Sequence, residues 1–311
     1  MRLSGYSRVE LAERLRNDGL FLHTGPFLSR IRTAVPAVVD GLDLLYADYR
    51  IADNEPYADF HIALQRPRSL RRWISPQVRF EFDGLVPFKP LPLAQALPML
   101  EWGLNWCIGL HAHHYLIIHA AVVERHGFAA ILPGAPGSGK STLTAFLVHN
   151  GWRLLSDELA LVSLDDGQVT PLARPISLKN RSIDVIAERV PNAVLSPRCN
   201  DTAKGTVALL KAPRHSVERI DEPARPAWVI FPTFKASGGA ALAPRSKADT
   251  LIELGRNAFN YSIHGRRGFE TLARLVDDCA CYSFTYSSLG EALAVFDGLE
   301  PARMQPTGIR A

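Results

Sequence analysis

The chain reads Gly134-Ala135-Pro136-Gly137-Ser138-Gly139-Lys140-Ser141 at its most informative point. This stretch fits the phosphate-loop pattern G-x-x-x-x-G-K-[ST] in full. In such a loop the glycines let successive backbone N–H groups point into one anion-sized hollow, the lysine reaches the β- and γ-phosphates, and the hydroxyl binds Mg²⁺. We therefore expect the loop and Thr142 to hold a nucleoside triphosphate, with Lys140 as a catalytic residue and Ser141 on Mg²⁺.

The residues on either side of the loop have the pattern of a strand before it and a helix after it. The apolar stretch 128–132 predicts a buried strand, and Leu143, Phe146 and Leu147 share one face of a predicted helix over 141–149. The phosphates would then lie at a helix N-terminus, which favours an anion. This order of elements favours a true phosphate loop over a glycine-rich turn that merely fits the pattern.

A second motif, Trp152-Arg153-Leu154-Leu155-Ser156-Asp157-Glu158, predicts a strand that ends in two carboxylates. Phosphoryl transfer requires mainly positioning and charge neutralisation, so such carboxylates bind Mg²⁺ or accept the proton of the attacking group. We expect Asp157 to be the base and Glu158 to bind Mg²⁺ with Ser141. The reverse assignment, with Asp157 on the metal, stays open because adjacent carboxylates titrate together. A solvated acidic turn is the alternative.

These motifs together resemble the catalytic core of bacterial HPr kinase/phosphorylase. That family has a histidine on the strand before the loop, then the loop, a short helix and a strand end of the type G-[HK]-x-L-V-A-D-D. The resemblance is carried by the run His119-Ala-Ala-Val-Val-Glu-Arg-His-Gly127, by the loop and by the 151–158 motif. Ala120 replaces the family's glycine after the histidine, and Ser156-Asp157-Glu158 replaces Ala-Asp-Asp. The resemblance is close over about residues 115–165 and weaker to about residue 300.

The resemblance implies an α/β fold with a P-loop kinase core of the type shared by HPr kinase and phosphoenolpyruvate carboxykinase. It also implies that His119 acts on the transferring phosphate or holds the carboxylate pair ionised, although a lone histidine on an apolar strand would otherwise be a core residue. The family's later arginine-rich signature is not evident, and Lys204 lies in a similar place. The stretch 171–180 instead resembles the HPr-kinase-related kinases. Three cations are candidates for stabilising the transition state: Arg174, Lys179 and Lys204.

Length and composition predict two domains. A chain of 311 residues with 47% hydrophobic composition can bury a large core. Residues 1–90 have the pattern of an N-terminal α+β domain, with a helix over 8–18 and half-buried antiparallel strands at 27–32, 60–64 and 78–82. Residues 91–311 would form the catalytic domain, with a helix over 99–107 and late helices over 247–259 and 268–278. A polar stretch, 185–206, predicts a mobile surface segment.

Charge and apolar patterning exclude several classes of partner. A formal charge of +4 does not indicate a nucleic-acid partner. No apolar run approaches the roughly 20 residues that span a bilayer, and the start lacks the apolar core of a signal peptide, so we expect a cytoplasmic protein. The cysteines Cys107, Cys199, Cys279 and Cys281 lack the spacing of zinc or disulfide frameworks, so reduced thiols are expected. The group His111, His113 and His114 is a weak metal pattern.

An arginine-rich segment lies in the first domain. It contains Arg66, Arg68, Arg71, Arg72 and Arg79 beside Trp73. The segment could dock a phosphate or an acidic partner, or it could be a solvated basic face.

The sequence thus favours an enzyme that uses ATP and Mg²⁺ to phosphorylate a hydroxyl, with a serine of a small protein or peptide as the expected acceptor. The alternatives are a nucleotide-binding regulatory or scaffold protein without turnover, and a small-molecule or carboxykinase-like enzyme. Whether the protein forms an oligomer stays open.

Overall fold

A computed structural model describes residues 1–53, 55–67 and 74–301. Over these residues the chain is a mixed α/β structure in which helices pack on three sheets. The described helices are α1 (Arg8–Arg16), α2 (Pro36–Leu45), α3 (Ala96–His111), α4 (Lys140–Val148), α5 (Arg181–Arg189), α6 (Arg214–Glu218), α7 (Lys247–Arg256), α8 (Tyr261–Asp278) and α9 (Leu289–Asp297). The predicted α/β class is therefore confirmed, and the kinase-type core stays a prediction.

The strands alternate with these helices along the chain. They are β1 (Leu20–Thr24), β2 (Phe27–Thr33), β3 (Ile51–Ala52), β4 (Phe60–Gln65), β5 (Gln77–Phe82), β6 (Leu91–Pro92), β7 (Tyr115–Arg125), β8 (Phe128–Pro133), β9 (Arg153–Ser156), β10 (Leu159–Ser163), β11 (Val169–Thr170), β12 (Ile176–Lys179), β13 (Cys199–Thr202), β14 (Gly205–Leu210), β15 (Arg225–Phe234), β16 (Ala241–Pro244) and β17 (Ala280–Tyr286).

The first sheet has the order β3-β1-β2-β4-β5-β6. The predicted strands at 27–32, 60–64 and 78–82 are confirmed as β2, β4 and β5. The expectation of antiparallel pairing is wrong for β2 and β4, which run parallel. The reason is α2, an apolar helix with Pro36 at its start, which crosses over between the two strands. Alternating burial shows that a strand is half-buried but carries no information on its direction.

The second sheet carries the phosphate-loop motif and has the order β11-β10-β7-β8-β15-β17-β16. The strand before the loop is confirmed as β8 and the helix after it as α4. β9 pairs directly with β7, so the chain returns to the sheet after a single helix. β8, β15 and β17 run parallel, which puts their carboxyl ends on one edge of the sheet.

A third, small sheet has the order β12-β14-β13. The segment 185–206, expected as a mobile surface stretch, contains the end of α5 and the whole of β13. Regular structure forms there because Ile183 and Ile186 give α5 a buried face and Cys199 is buried on β13. The four cysteines are buried free thiols.

One hydrophobic core contains residues from the first sheet, from α3, from α4 and from the small sheet. The hydroxyl of Tyr49 donates to the carbonyl oxygen of Ala173 over 2.8 Å, and Lys211 pairs with Asp48 at 2.8 Å. These contacts join the first sheet to the rest of the chain across the boundary predicted near residue 90. No described helix is long and apolar enough to cross a membrane.

Candidate active site

The loop over 134–139 lies at the carboxyl edge of the parallel strands, between the end of β8 and the start of α4. Two of its glycines have left-handed backbone angles, with φ of 86° at Gly137 and 88° at Gly139. A Cβ on Gly139 would also lie 2.4 Å from the hydroxyl oxygen of Tyr286. Both the backbone angle and the close contact therefore require glycine at position 139.

Two neighbouring strands fix the shape of this loop. The N–H of Phe234, at the end of β15, donates to the carbonyl oxygen of Ser138 over 2.9 Å. The hydroxyl of Tyr286, at the end of β17, donates to the carbonyl oxygen of Gly139 over 3.0 Å. Burial raises the pKa of Tyr286, so its hydroxyl keeps the proton it donates. The loop is thus held in place by the protein alone.

Three charged or titratable side chains form a row beside the loop. The Nε2 atom of His119, on β7, lies 2.9 Å from Oε2 of Glu158 and 3.4 Å from Nζ of Lys140. Lys179 approaches the other oxygen of Glu158 at 3.9 Å. Burial lowers the pKa of the Lys140 ammonium, and the charges of Glu158 and Asp157 oppose this. The structure therefore brings together the predicted residues Lys140, His119 and Glu158.

Asp157 is 5% exposed and uses only one of its two carboxylate oxygens. Its Oδ2 accepts hydrogen bonds from the hydroxyl of Ser141 at 3.3 Å and from the N–H of Ser177 at 3.1 Å. Its Oδ1 is buried and has no hydrogen-bond partner among the described residues. Buried acceptors are normally paired, so this atom marks a place where a ligand could donate.

The two adjacent carboxyls differ in their affinity for a proton. Burial, and then the negative charge of Glu158, raises the pKa of Asp157 to about 6. Burial would also raise the pKa of Glu158, but the hydrogen bond with His119 and the charges of Lys140 and Lys179 lower it to about 2. Paired acids whose environments separate their pKa values can take different roles, one as a base and one as a permanent anion.

The donor set fits Mg²⁺ and a triphosphate. Mg²⁺ is usually held by one or two carboxylates together with phosphate oxygens and water, and Ser141, Asp157 and Glu158 supply protein oxygens of this kind. The Oγ of Ser138 is buried in the loop without a partner among the described residues. Among the residues that the structure describes, no three or more His, Cys, Asp or Glu side chains come together in a group that could hold a metal ion by themselves. Of the three histidines that form a weak metal pattern in the sequence, His111 and His114 pack on aromatic rings, with 4.9 Å between the ring centroids of His111 and Phe82.

A small cavity adjoins the free oxygen of Asp157. Its volume of about 20 Å³ is room for about one water. The Oγ of Ser177 and the Nε of Arg174 line this region and also lack partners in the described part of the chain. Its walls include Trp102, Asn105, Asp157, Glu158, Arg174 and Ser177.

Helix α3 supplies wall residues that the sequence analysis missed. Glu101 is buried in α3 and accepts from Tyr46 at 2.5 Å and from Arg174 at 3.3 Å. Arg174 also donates to Asn105, so this cation is held by α3. The signal that could have found the network is the single carboxylate in an otherwise apolar helix.

The other two predicted cations lie nearer the acid pair. Nζ of Lys204 is 5.3 Å from the ring centroid of Trp102, a cation–π contact. Burial, followed by the charge of Lys179, lowers the pKa of Lys204. Lys179 and Lys204 thus each contact a residue that lines the cavity, Glu158 and Trp102 respectively.

The arginine-rich segment is described only in part. Arg68, Arg71, Arg72 and Trp73 lie outside the described residues. Arg79 pairs with Glu81 on its own strand at 3.3 Å. The docking role of the segment stays a prediction.

The chain matches no protein-family model and no curated protein.

Proposed function

We propose that this protein is a Mg²⁺- and ATP-dependent kinase that transfers the γ-phosphate to a hydroxyl, with a P-loop kinase core of the HPr kinase and phosphoenolpyruvate carboxykinase type. The observation that carries the proposal is the row Lys140–His119–Glu158 at the N-terminus of α4, beside a buried Asp157 with one free oxygen. A binding protein without turnover would need the loop and Lys140. It could use Asp157 to hold Mg²⁺ beside Ser141, but the raised pKa of this carboxyl and its free oxygen favour a role in proton transfer.

Each residue has a role that follows from its surroundings. Glu158 stays ionised and would hold Mg²⁺ together with Ser141. When bound, Mg²⁺ supplies positive charge to the phosphate oxygens. Lys140 adds a second positive charge at the β- and γ-phosphates. The Nε2–H of His119 donates to Glu158 and holds that carboxylate in position beside Lys140. The cytoplasmic location of such an ATP-dependent enzyme is part of the same proposal.

In the transfer step the acceptor oxygen forms a bond to the γ-phosphorus, and the bond between that phosphorus and the β,γ-bridging oxygen breaks. The electron pair of the broken bond leaves with ADP. The acceptor's proton passes to Oδ1 of Asp157, the oxygen without a protein partner. A carboxyl with its pKa raised by burial is a stronger base than an exposed one and still ionises near neutral pH.

The acceptor we favour is a serine of a small protein or peptide. The cavity beside Asp157 has room for a group of about the size of one water, such as a hydroxyl. A second candidate is a small-molecule kinase, which the two lysines that contact wall residues of the cavity favour. Lys179 and Lys204 would suit an acceptor that carries its own negative charge.

Calorimetry of MgATP binding tests the nucleotide site. Replacing Lys140 by Ala removes a charge-assisted contact and should weaken binding by about 2–4 kcal/mol. The matched control is Lys89→Ala, which changes an exposed lysine of the connector and should leave the affinity as it is. Equal affinity for ATP in the wild type and the Lys140→Ala protein would refute the site.

Product analysis then tests the transfer. The protein is incubated with γ-labelled ATP and lysate that has been divided by size, with Asp157→Asn as the control for background. Label in the macromolecular fraction supports the peptide acceptor, and label in the small-molecule fraction supports the second candidate. ATP binding without labelled product in either fraction would favour the regulatory alternative.

A further inference from the structure

Phe234 is a large apolar residue that stays 51% exposed next to the phosphate loop. Its backbone N–H binds the carbonyl oxygen of Ser138, and its ring packs edge-on against the ring of Tyr286, with 5.6 Å between centroids. Tyr286 in turn binds Gly139. The exposed ring is therefore held rigidly relative to the loop. An aromatic surface with little freedom to lose makes a good stacking partner for a flat ligand.

The sheet order places this ring at a defined end of the nucleotide. β8, which leads into the loop, has β7 as its neighbour on one side and β15 on the other. His119 lies on β7, and Asp157 and Glu158 follow β9, which also pairs with β7. The groups that act on the γ-phosphate are thus on the β7 side. The remainder of a bound nucleotide must extend away from them, toward the end of β15.

A second exposed aromatic residue serves as a comparison. Phe259 is 55% exposed, and its ring lies 5.8 Å from that of His119. It therefore lies on the γ-phosphate side, where the acceptor would approach. Phe234 is the exposed aromatic residue on the opposite side of the loop.

We propose that the nucleobase of the bound triphosphate stacks on the ring of Phe234. This inference rests on the proposed function, because it requires a nucleoside triphosphate in the loop. Every base has a π-face, so stacking provides affinity with little discrimination among bases. The ring of Phe234 would add affinity for the nucleoside part of the ligand and leave the affinity for the phosphates unchanged.

The test compares two ligands by calorimetry in the presence of Mg²⁺: ATP and inorganic tripolyphosphate, which has the phosphates without the base. Loss of the stacking ring in Phe234→Ala should weaken ATP binding by about 5- to 150-fold and leave tripolyphosphate binding unchanged. Phe234→Tyr keeps the ring and should keep the wild-type ratio of the two affinities. Phe269→Ala removes another exposed phenylalanine, 48% exposed on α8, and should also keep that ratio.

Each outcome decides one question. Unchanged ATP affinity in Phe234→Ala would contradict the stacking of the base on Phe234 and leave the proposed function intact. A parallel loss for ATP and tripolyphosphate would show that Phe234 only shapes the loop, which also contradicts the stacking. A wild-type protein that binds neither ligand would refute the proposed function itself.

Discussion

β9 has a buried ionic cluster at each of its ends, and the two clusters are built differently. At one end Glu124, 1% exposed, pairs with Arg153 and accepts from the N–H of Gly127 at 2.5 Å. Arg219 approaches the same carboxylate at 3.7 Å. At the other end, beside His119, Asp157 has a buried oxygen without a partner among the described residues.

The difference distinguishes Glu124, a carboxylate whose partners all come from the protein, from Asp157, a carboxylate with one oxygen open to a ligand. Both oxygens of Glu124 have partners, so nothing remains for a ligand to bind and the cost of burying the charge is offset within the protein. Asp157 keeps an acceptor free, and its environment raises its pKa. Unsatisfied polar atoms and a shifted pKa together are typical of functional sites.

The largest expected effect is on turnover. Asp157→Asn keeps the size of the side chain and removes the base, so phosphoryl transfer should fall about a thousandfold. ATP affinity should stay within about tenfold of the wild type, because the contacts of Lys140 and the loop are unchanged. Single-turnover rates and calorimetry on the same preparation measure the two effects. Wild-type rates in this variant would move the role of base elsewhere, with Glu158 the first residue to examine.

A change at the opposite end of β9, where Arg153 pairs with Glu124, should act on stability. Glu124→Gln leaves the buried Arg153 with only the exposed Glu222, 3.8 Å away, as a counter-charge. The free energy of unfolding should therefore fall, by up to about 3–5 kcal/mol. Denaturant titration measures this change. The ATP affinity of the protein that remains folded should match the wild type. If Glu124→Gln kept wild-type stability but lost nucleotide binding, Glu124 would belong to the binding site, contrary to the comparison drawn here.

The two ends should also differ in their response to pH. The pKa of Asp157 is raised by burial from 3.8 to about 6 in the folded state. Between these values the folded protein keeps a proton that the unfolded chain has lost, so stability falls as pH rises, and the full cost is present above about pH 6. That cost is at most about 3 kcal/mol.

Asp157→Asn removes the titrating carboxyl and serves as the reference, since the contributions of other groups largely cancel in the difference. In chelator-treated protein, the wild type should lose stability relative to Asp157→Asn between about pH 4 and about pH 6. A difference that does not change with pH would show that Asp157 is not buried in the way the structure indicates.

A smaller effect is expected at the row beside the loop. His119→Ala removes the group between Glu158 and Lys140, so turnover should fall about 10- to 100-fold while ATP affinity changes less. Removing a partly buried imidazole also costs stability through lost packing and hydrogen bonds. The melting temperature must therefore be measured beside the rate. Normal transfer by a folded but less stable variant would show that His119 is only a packing residue.

The sequence predicted what depends on neighbours along the chain. The loop, β8 and α4 follow from a local pattern, and Gly139 is required by its own backbone angle. The meeting of His119 with Glu158 was expected only from the family resemblance, because it depends on the pairing of strands that lie apart in sequence. Whether these residues have the roles proposed for them stays a prediction.

What the sequence missed depends on distant contacts. Arg174 has the pattern of a free cation, and only the fold brings Glu101 and Asn105 of α3 against it. The parallel pairing of β2 and β4 depends on the crossover through α2, which burial alternation does not report. The position of Phe234 beside the loop could not be predicted, because a single exposed aromatic residue belongs to no periodic pattern or motif.

The continuous core and the contacts of Glu101 have a thermodynamic consequence. Tyr46 and Arg174 meet on Glu101, so separating the first sheet from the loop-bearing sheet would take one of its two hydrogen-bond partners from a buried carboxylate. Two parts joined in this way should unfold in one cooperative transition. A ligand that binds only the folded loop then stabilises the whole chain by mass action. Amides of β1 and β4, far along the chain from the phosphates, should gain protection from hydrogen exchange when nucleotide is added.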